Sequence, residues 1–431
     1  MKNLALPTLL TLIVCAPPLS AGDWFVDDDG GPGVDFTDIQ PAIDAAQAGD
    51  VIHVAIGAYS GFTLAKALTI QGDASAPPWT KMTGPVLVDG IPEGATAWLL
   101  DLTFDDGLAL RNSAGTIVGA RLNVDASAGT STMSVIDCDD ARVYRSDVSG
   151  IHDSVPPTPA LLVRTSRLEV VQTQIRGHRG PSLTDPGGLG ILAAPGAELF
   201  ASLCNVSGGD GWSPSCGTFG SKAGGDGGDA LHVLGGASVT ITGPREQHFS
   251  SWVEPYLIGG WGGGCKESCA ELGEPGRALR VENGGVVRHS ATPLYVGDAF
   301  FCSAPDATLV EPGGVVTTVD PIDPSLFALN WPQGLPLSDT ARFELTAEPG
   351  APSFWFLGSG LLSQAVPGVV QDLLIAPVTF VNFGAVPATG SLPFETGAPM
   401  LLPAGTKLYF QVLVVGSGGP VLTNSNVLFV R

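Results

Sequence analysis

Charge is scarce in this chain, and positive charge is scarcer still. Charged residues make up 14% of 431, with 42 acidic against 20 basic side chains, a formal net charge of −22 and a pI near 4.4. Such a surface repels the phosphates of nucleic acid and the headgroups of anionic lipid, so neither is expected as a partner, and it repels acidic polysaccharide unless a cation bridges the two. Long apolar runs are rare as well: after the first 20 residues none is long enough for a transmembrane segment. Gly-x-Ser-x-Gly, His-Glu-x-x-His and Gly-x-x-x-x-Gly-Lys are all missing, which leaves α/β-hydrolase, zincin and P-loop chemistry without a sequence basis. No Cys-x-x-Cys occurs and no histidine sits at ligand spacing from a cysteine, so a structural zinc site is not expected.

Glycine (58) and proline (35) are abundant instead, against a 44% hydrophobic background. That balance suits many short strands joined by tight turns, in a chain long enough for one large body and a smaller second domain. The opening MKNLALPTLLTLIVCAPPLSAGDW has a lysine, an apolar run and then small residues, the layout of a secretory signal peptide over residues 1–21. Val14 before Cys15 is bulkier than lipoprotein processing accepts. A secreted, extracellular or cell-surface location is therefore expected. Six cysteines then remain: Cys138, Cys204, Cys216, Cys265, Cys269 and Cys302. An even number in an exported chain is consistent with disulfides, and the short separations favour Cys204 with Cys216 and Cys265 with Cys269, while Cys138 reads as a buried thiol in a strand.

One amphipathic helix comes first. Ile39, Ala42, Ile43 and Ala46 make an apolar stripe, with Thr37 or Asp38 as the alternative caps. Asp38 is favoured, because Pro41 then falls where an N–H goes unpaired, and Gly49 is the expected stop after Ala48. Apolar strand, turn and second strand then recur loosely from Leu108, Met133, Ala160, Leu189, Ala230 and Ala278. Spacings of this order, about 25 to 48 residues, signal a solenoid, in which stacked units share one core and the exposed end needs a cap.

The segment DFTDIQPAIDAAQAGDVIHVAIGAYSGFTLAKALTIQGD resembles the N-terminal entry of the right-handed parallel β-helix, or pectin lyase-like, superfamily. The resemblance implies an all-β chain: a right-handed parallel β-helix over residues 22–315, with the helix as its N-terminal lid. Pro-rich residues 316–334 read as a connector. Residues 335–431 lack the repeat and read as a small antiparallel β-sandwich, similar to C-terminal modules of bacterial secreted proteins that bind sugar, aid sorting or cover the far end of the solenoid.

Three candidate sites follow. Glycosidases on this fold carry an Asn-Thr-Asp, an Asp-Asp, a Gly-His-Gly and an Arg-Ile-Lys in order, and Asn123-Val-Asp125, Asp139-Asp140 and Gly177-His178-Arg179 resemble that series, without its Thr, its second Gly and its Arg-Ile-Lys. Asp125, Asp139, Asp140 and His178 are thus the candidate catalytic set. A lyase would hold Ca²⁺ on acid clusters such as Asp27 to Asp29, Asp105-Asp106 or Asp137 to Asp140, beside Arg164, Arg167 and Arg176. Finally, two glycine-rich inserts hold Trp212, Trp252, Tyr256 and Trp261 beside Asp210, Asp226, Asp229 and Glu254, a composition suited to stacking on sugar rings and bonding to their hydroxyls. The leading expectation is a non-catalytic extracellular surface or glycan-contacting protein with polysaccharide as partner. The alternative is a polysaccharide lyase or glycoside hydrolase.

Overall fold

The computed structural model describes residues 22–73, 80–126, 131–150, 158–180, 185–211, 224–243, 256–263, 273–290, 292–297, 306–318, 325–328, 340–364, 366–367, 369, 373–397 and 407–429. Residues 1–21, expected to be a signal peptide, lie outside them. From Asp23 to Thr318 the chain winds as a parallel β-solenoid with three strands to a coil. A nine-stranded sheet, running from Ala58–Tyr59 to Leu294–Tyr295, forms one wall. An eighteen-stranded sheet folds along its length and forms the other two, and strands Leu108–Ala120 and Met133–Tyr144 run through that fold.

Two corners are made by ladders of left-handed residues. Asn112, Asp137, Thr165, Gly196, Gly236, Gly284 and Gly313 turn successive coils within the larger sheet. Asp101, Arg121, Arg145, Gln172 and Leu203 turn them into the nine-stranded one, and each of these five donates its N–H to the carbonyl of the next coil. A single left-handed residue costs a non-glycine side chain about 1 kcal/mol. Here the ladder hydrogen bonds offset that cost.

Strand alternation sends one side chain in two inward, and strict register stacks like upon like. Ala97, Ile117, Ala141, Leu168, Leu199, Val239 and Val287 form one such inner column, and all are buried in a continuous core.

The helix spans Ile39–Ala45, three residues shorter than expected, with Asp38 accepting from the Ile39 N–H. Ile39, Ala42, Ile43 and Ala46 are buried against the first coil, so it closes that end of the core. Its C-terminus is held by Lys66, whose Nζ donates to the carbonyls of Ile43, Asp44 and Ala46 at 2.8, 3.1 and 3.0 Å. A cation on these orphan carbonyls ends the helix before Gly49 is reached.

Cysteine chemistry differs from the sequence expectation. Cys204 is a free, buried thiol, so the expected Cys204 to Cys216 closure is not formed; Cys216, Cys265 and Cys269 lie outside the described residues. Its Sγ donates to the carbonyls of Ser202 and Val170 at 3.2 and 3.4 Å. Ser146 and Thr173 make the same bond to the residue two before them, so Cys204 continues an inward hydroxyl ladder. Burial pushes this thiol up to about 12 and the Cys138 thiol to about 11, which keeps both unreactive.

Antiparallel pairing begins at Ser325–Ala328, inside the stretch expected to be a connector, while the last solenoid strand extends to Thr318. Three strands (Ser325–Ala328, Thr340–Thr346, Ser391–Gly397) make one sheet of the sandwich. Five (Pro352–Gln364, Leu373–Ala385, Lys407–Gly416, Gly419–Leu422, Asn426–Phe429) make the other. Phe343, Trp355, Phe394 and Phe410 fill the space between them.

The sandwich docks on the flank of the solenoid. Ile375 and Tyr409 pack with outward-facing Trp98, Leu100, Val118, Ala120, Tyr144 and Val171 of the larger sheet. Beside this apolar patch lies a buried polar network. Arg142 is fully buried, pairs with Asp140 at 2.8 Å and donates to the Leu374 carbonyl at 2.7 Å. Glu169 accepts from the Ser425 N–H and hydroxyl, both at 2.9 Å, and from the Tyr144 hydroxyl at 3.1 Å. Burial raises the Glu169 carboxyl, against the opposing pull of Arg142 and Ser425. Burial also works against the Arg142 charge, yet Asp140, Tyr144 and Glu169 hold its pKa above the ordinary arginine value.

Candidate functional site

The nine-stranded wall turns a polar face outward. Phe104, Val124, Val148, Ile175, Val206 and Leu257 point into the core, so their strand neighbours point away. In register along one outward row stand Lys81, Thr103, Asn123, Asp147, Gln174, Asn205 and Tyr256. Asp125, Ser149, Arg176 and Ser207 form a second row, which ends in Ile258 and Tyr295. Nine strands at about 4.8 Å make this strip roughly 40 Å long.

Charges on the strip are mostly paired. Lys81 bridges to Asp105 at 2.6 Å, and Arg176 bridges to Asp147 at 2.8 Å and donates to the Gln174 side-chain amide oxygen at 3.1 Å. Ser149 donates to Asp147. Asp125 sits between the two ion pairs with the Asn123 amide at 3.4 Å. Burial, then the nearby carboxylates of Asp147 and Asp105, raise its pKa. Thr103 Oγ1 and Asn205 Oδ1, both nearly buried in the first row, find no hydrogen-bond partner among the described residues. Both oxygens are closed to solvent, so they are a cost within the wall rather than contact points for another molecule.

The four candidate catalytic residues do not converge. Asp125 lies on the strip, whereas Asp140 lies under the sandwich, paired with Arg142 and Thr116. Asp139 is exposed beyond the bend at Asp137. His178 is fully buried, with Nε2 at 3.3 Å from both the Thr132 and Thr158 hydroxyls. The physical reason is coil geometry: a strand that bends from one wall to the next sends neighbouring motifs to different faces. Among the described residues no cluster of three or more His, Cys, Asp or Glu side chains has metal-site geometry, and Arg164 and Arg167 stand on the larger sheet, away from Arg176.

The glycine-rich inserts leave and rejoin the solenoid through a sheaf of hydrogen-bonded backbone segments that belong to no strand. The Gly188 N–H donates to His178 O, Gly209 to Gly188, Gly228 to Gly209, Gly260 to Gly228, Gly276 to Gly260 and Gly297 to Gly276, each at 2.7 to 3.0 Å. None of these six glycines has a positive φ, so what they supply here is close packing and not a left-handed turn. A Cβ on Gly209 would overlap the His178 carbonyl oxygen, and one on Gly228 the Gly188 carbonyl oxygen. Backbone packed this closely leaves room for no other residue.

The insert aspartates serve the sheaf. Asp210 accepts from the Trp261 N–H at 2.9 Å, Asp226 from Glu274 at 2.7 Å and Asp229 from Arg277 at 2.8 Å. Trp261 is 44% exposed, and Tyr256 is half-buried on the strip. Trp212, Trp252 and Glu254 lie outside the described residues. Three histidines in solenoid strands have side-chain partners: His53 with Asp23 at 3.1 Å, His232 with Glu282 at 3.0 Å and His289 with Thr318 at 3.0 Å.

The chain matches no protein-family model, no curated protein and no solved structure. Sequence reasoning missed Lys81, Asp105, Asp147, Ser149, Arg176 and Asn205 as companions of Asp125. Their signal was the two-residue alternation in NVD, DVS, QIR and NVS, which repeats polar, apolar, polar at the third strand of four successive coils.

Proposed function

We propose that this is a secreted, pectin lyase-like solenoid that binds neutral glycan chains along the outer strip of the nine-stranded wall without cleaving them. The observation that carries this reading is the in-register row from Lys81 to Tyr256, in which Lys81 is exposed and Asn123, Asp147, Gln174 and Tyr256 stay partly exposed. Side chains repeating once per strand offer hydrogen bonds at close to the repeat of one sugar unit in an extended polysaccharide. Tyr256, Tyr295 and, beyond them, Trp261 supply aromatic surface at one end. The strongly acidic whole favours a neutral chain over an anionic one, and Ca²⁺ is a requirement only for an acidic glycan.

The test is affinity electrophoresis of the mature chain through gels containing neutral or acidic polysaccharide, alongside Asn205→Leu and Tyr256→Ala variants. Retardation by a neutral polysaccharide that both variants relieve supports the strip; equal retardation of all three chains refutes it.

A second reading is favoured by Asp125, whose carboxyl is held above the ordinary range by burial and by the neighbouring Asp147 and Asp105, as the environment of a glycosidase acid does. New reducing ends from any polysaccharide, lost in Asp125→Asn, would establish it. Absorbance of unsaturated uronate ends would indicate a lyase instead.

A further inference from the structure

A separate groove of about 440 Å³ lies at the N-terminal end of the flank on which the sandwich sits. That volume falls within the roughly 300–1,000 Å³ of small-molecule sites. Its floor is the row that continues into the docked patch: Phe25, His53 and Gln71 stand in register, and the next residue of the row, Leu100, is already covered by the sandwich. The loop 27–36 forms one side, with Val34 facing the groove, and Asp27 and Asp73 stand at its end. The loop is pinned, since Asp35 accepts from the Phe25 N–H at 2.9 Å, and the Asp27 N–H donates to Phe36 at 3.1 Å.

We infer that this groove is a second saccharide site, which takes a single neutral pyranose ring against the Phe25–His53 pair. The two rings stack at 5.1 Å and 19°, yet Phe25 remains 49% exposed, an apolar surface that the fold presents and does not cover. Asp23 fixes the imidazole through its Nε2 at 3.1 Å, so the pair is held in place. Ring C–H groups of a pyranose pack on such an aromatic surface, and its hydroxyls need both donors and acceptors at the margin. Gln71 offers both, and its side chain makes no hydrogen bond within the described residues; the Asp27 and Asp73 carboxylates add acceptors.

The same carboxylates set the specificity. Asp23, Asp27 and Asp73 repel a uronate. An organic cation is a poorer fit, because it requires several ring faces around it and the groove offers one ring pair, while Asp23 is engaged by His53 at 3.1 Å. The site lies on a different wall from the polar strip, so it stands whether or not the strip binds glycan.

Saturation-transfer NMR on the mature full chain tests this with methyl glucoside, methyl galactoside, methyl mannoside, galacturonate and choline as probes. The expected result is transfer to the ring protons of at least one neutral pyranoside and none to galacturonate or choline. The dissociation constant obtained by titrating that signal should rise about tenfold in Phe25→Ala and in Phe25→Leu, which keeps the apolar bulk but removes the ring, corresponding to roughly 1.4 kcal/mol. Both variants should keep the parental melting temperature, since Phe25 is half exposed, and Asn205→Leu on the strip should leave the signal unchanged. A dissociation constant unchanged in both Phe25 variants, transfer to choline alone, or no transfer to any neutral pyranoside would overturn the assignment.

Discussion

Burial beside Asp147 and Asp105 makes the negative charge of Asp125 costly, and that cost has a definite pH signature. With its pKa raised in the fold, the folded chain keeps a proton that the unfolded chain has released. Stability from this residue is therefore greatest below the ordinary aspartate value of 3.8 and falls as pH rises through the folded value. Asp125→Asn should raise the melting temperature at neutral pH, and the gain should vanish in acid; equal shifts at both pH values would show that charge is not the cause. In the sheaf, Gly209→Ala should cost about 3 kcal/mol by overpacking against His178 O. Gly418, with nothing near its would-be Cβ, should tolerate alanine to within about 0.5 kcal/mol. Urea denaturation of both variants checks the contrast. Cys204→Ser should change stability by less than about 1 kcal/mol, because a hydroxyl fits the Ser146 and Thr173 ladder, whereas loss of a disulfide costs about 2 to 5. Short separation had favoured pairing of Cys204. The direction of its side chain, into the core, is set by strand alternation and outweighs separation.

Among elements, the helix and its Asp38 cap were legible because a capping residue, an apolar stripe and a following strand are local signals. The early stop was not, because Lys66 reaches it from more than 20 residues away. The docking site of the sandwich left a trace that alternation alone does not explain. In TAWLL and RLEVV the last four residues are all buried, and such runs belong to strands covered on both faces. What covers them comes from residues beyond 370, which local patterning does not reveal. Trp98→Ala, which removes the ring beside Tyr409, should cost about 3 kcal/mol and split a single calorimetric transition into two as the sandwich uncouples. A single transition merely shifted down would show that docking is not what couples the two parts.

At the scale of the whole molecule, the walls have separate tasks. One packs the sandwich, one corner carries the glycine sheaf, and the nine-stranded wall turns a polar row outward. Fold class was readable in the sequence because repeat spacing and turn glycines are one-dimensional signals. The site was less so: Asp105 lies 20 residues from Asp125, and Asn123 lies 24 from Asp147, so coil lengths must be known before neighbours can be named. The most direct measurement is the dissociation constant of a neutral oligosaccharide ladder of increasing length, by calorimetry, with reducing ends assayed in the same samples. A strip of in-register subsites predicts affinity that rises with each added sugar, weakens in Asn205→Leu and produces no new reducing ends. Affinity independent of chain length, or reducing ends that accumulate with time, would contradict it.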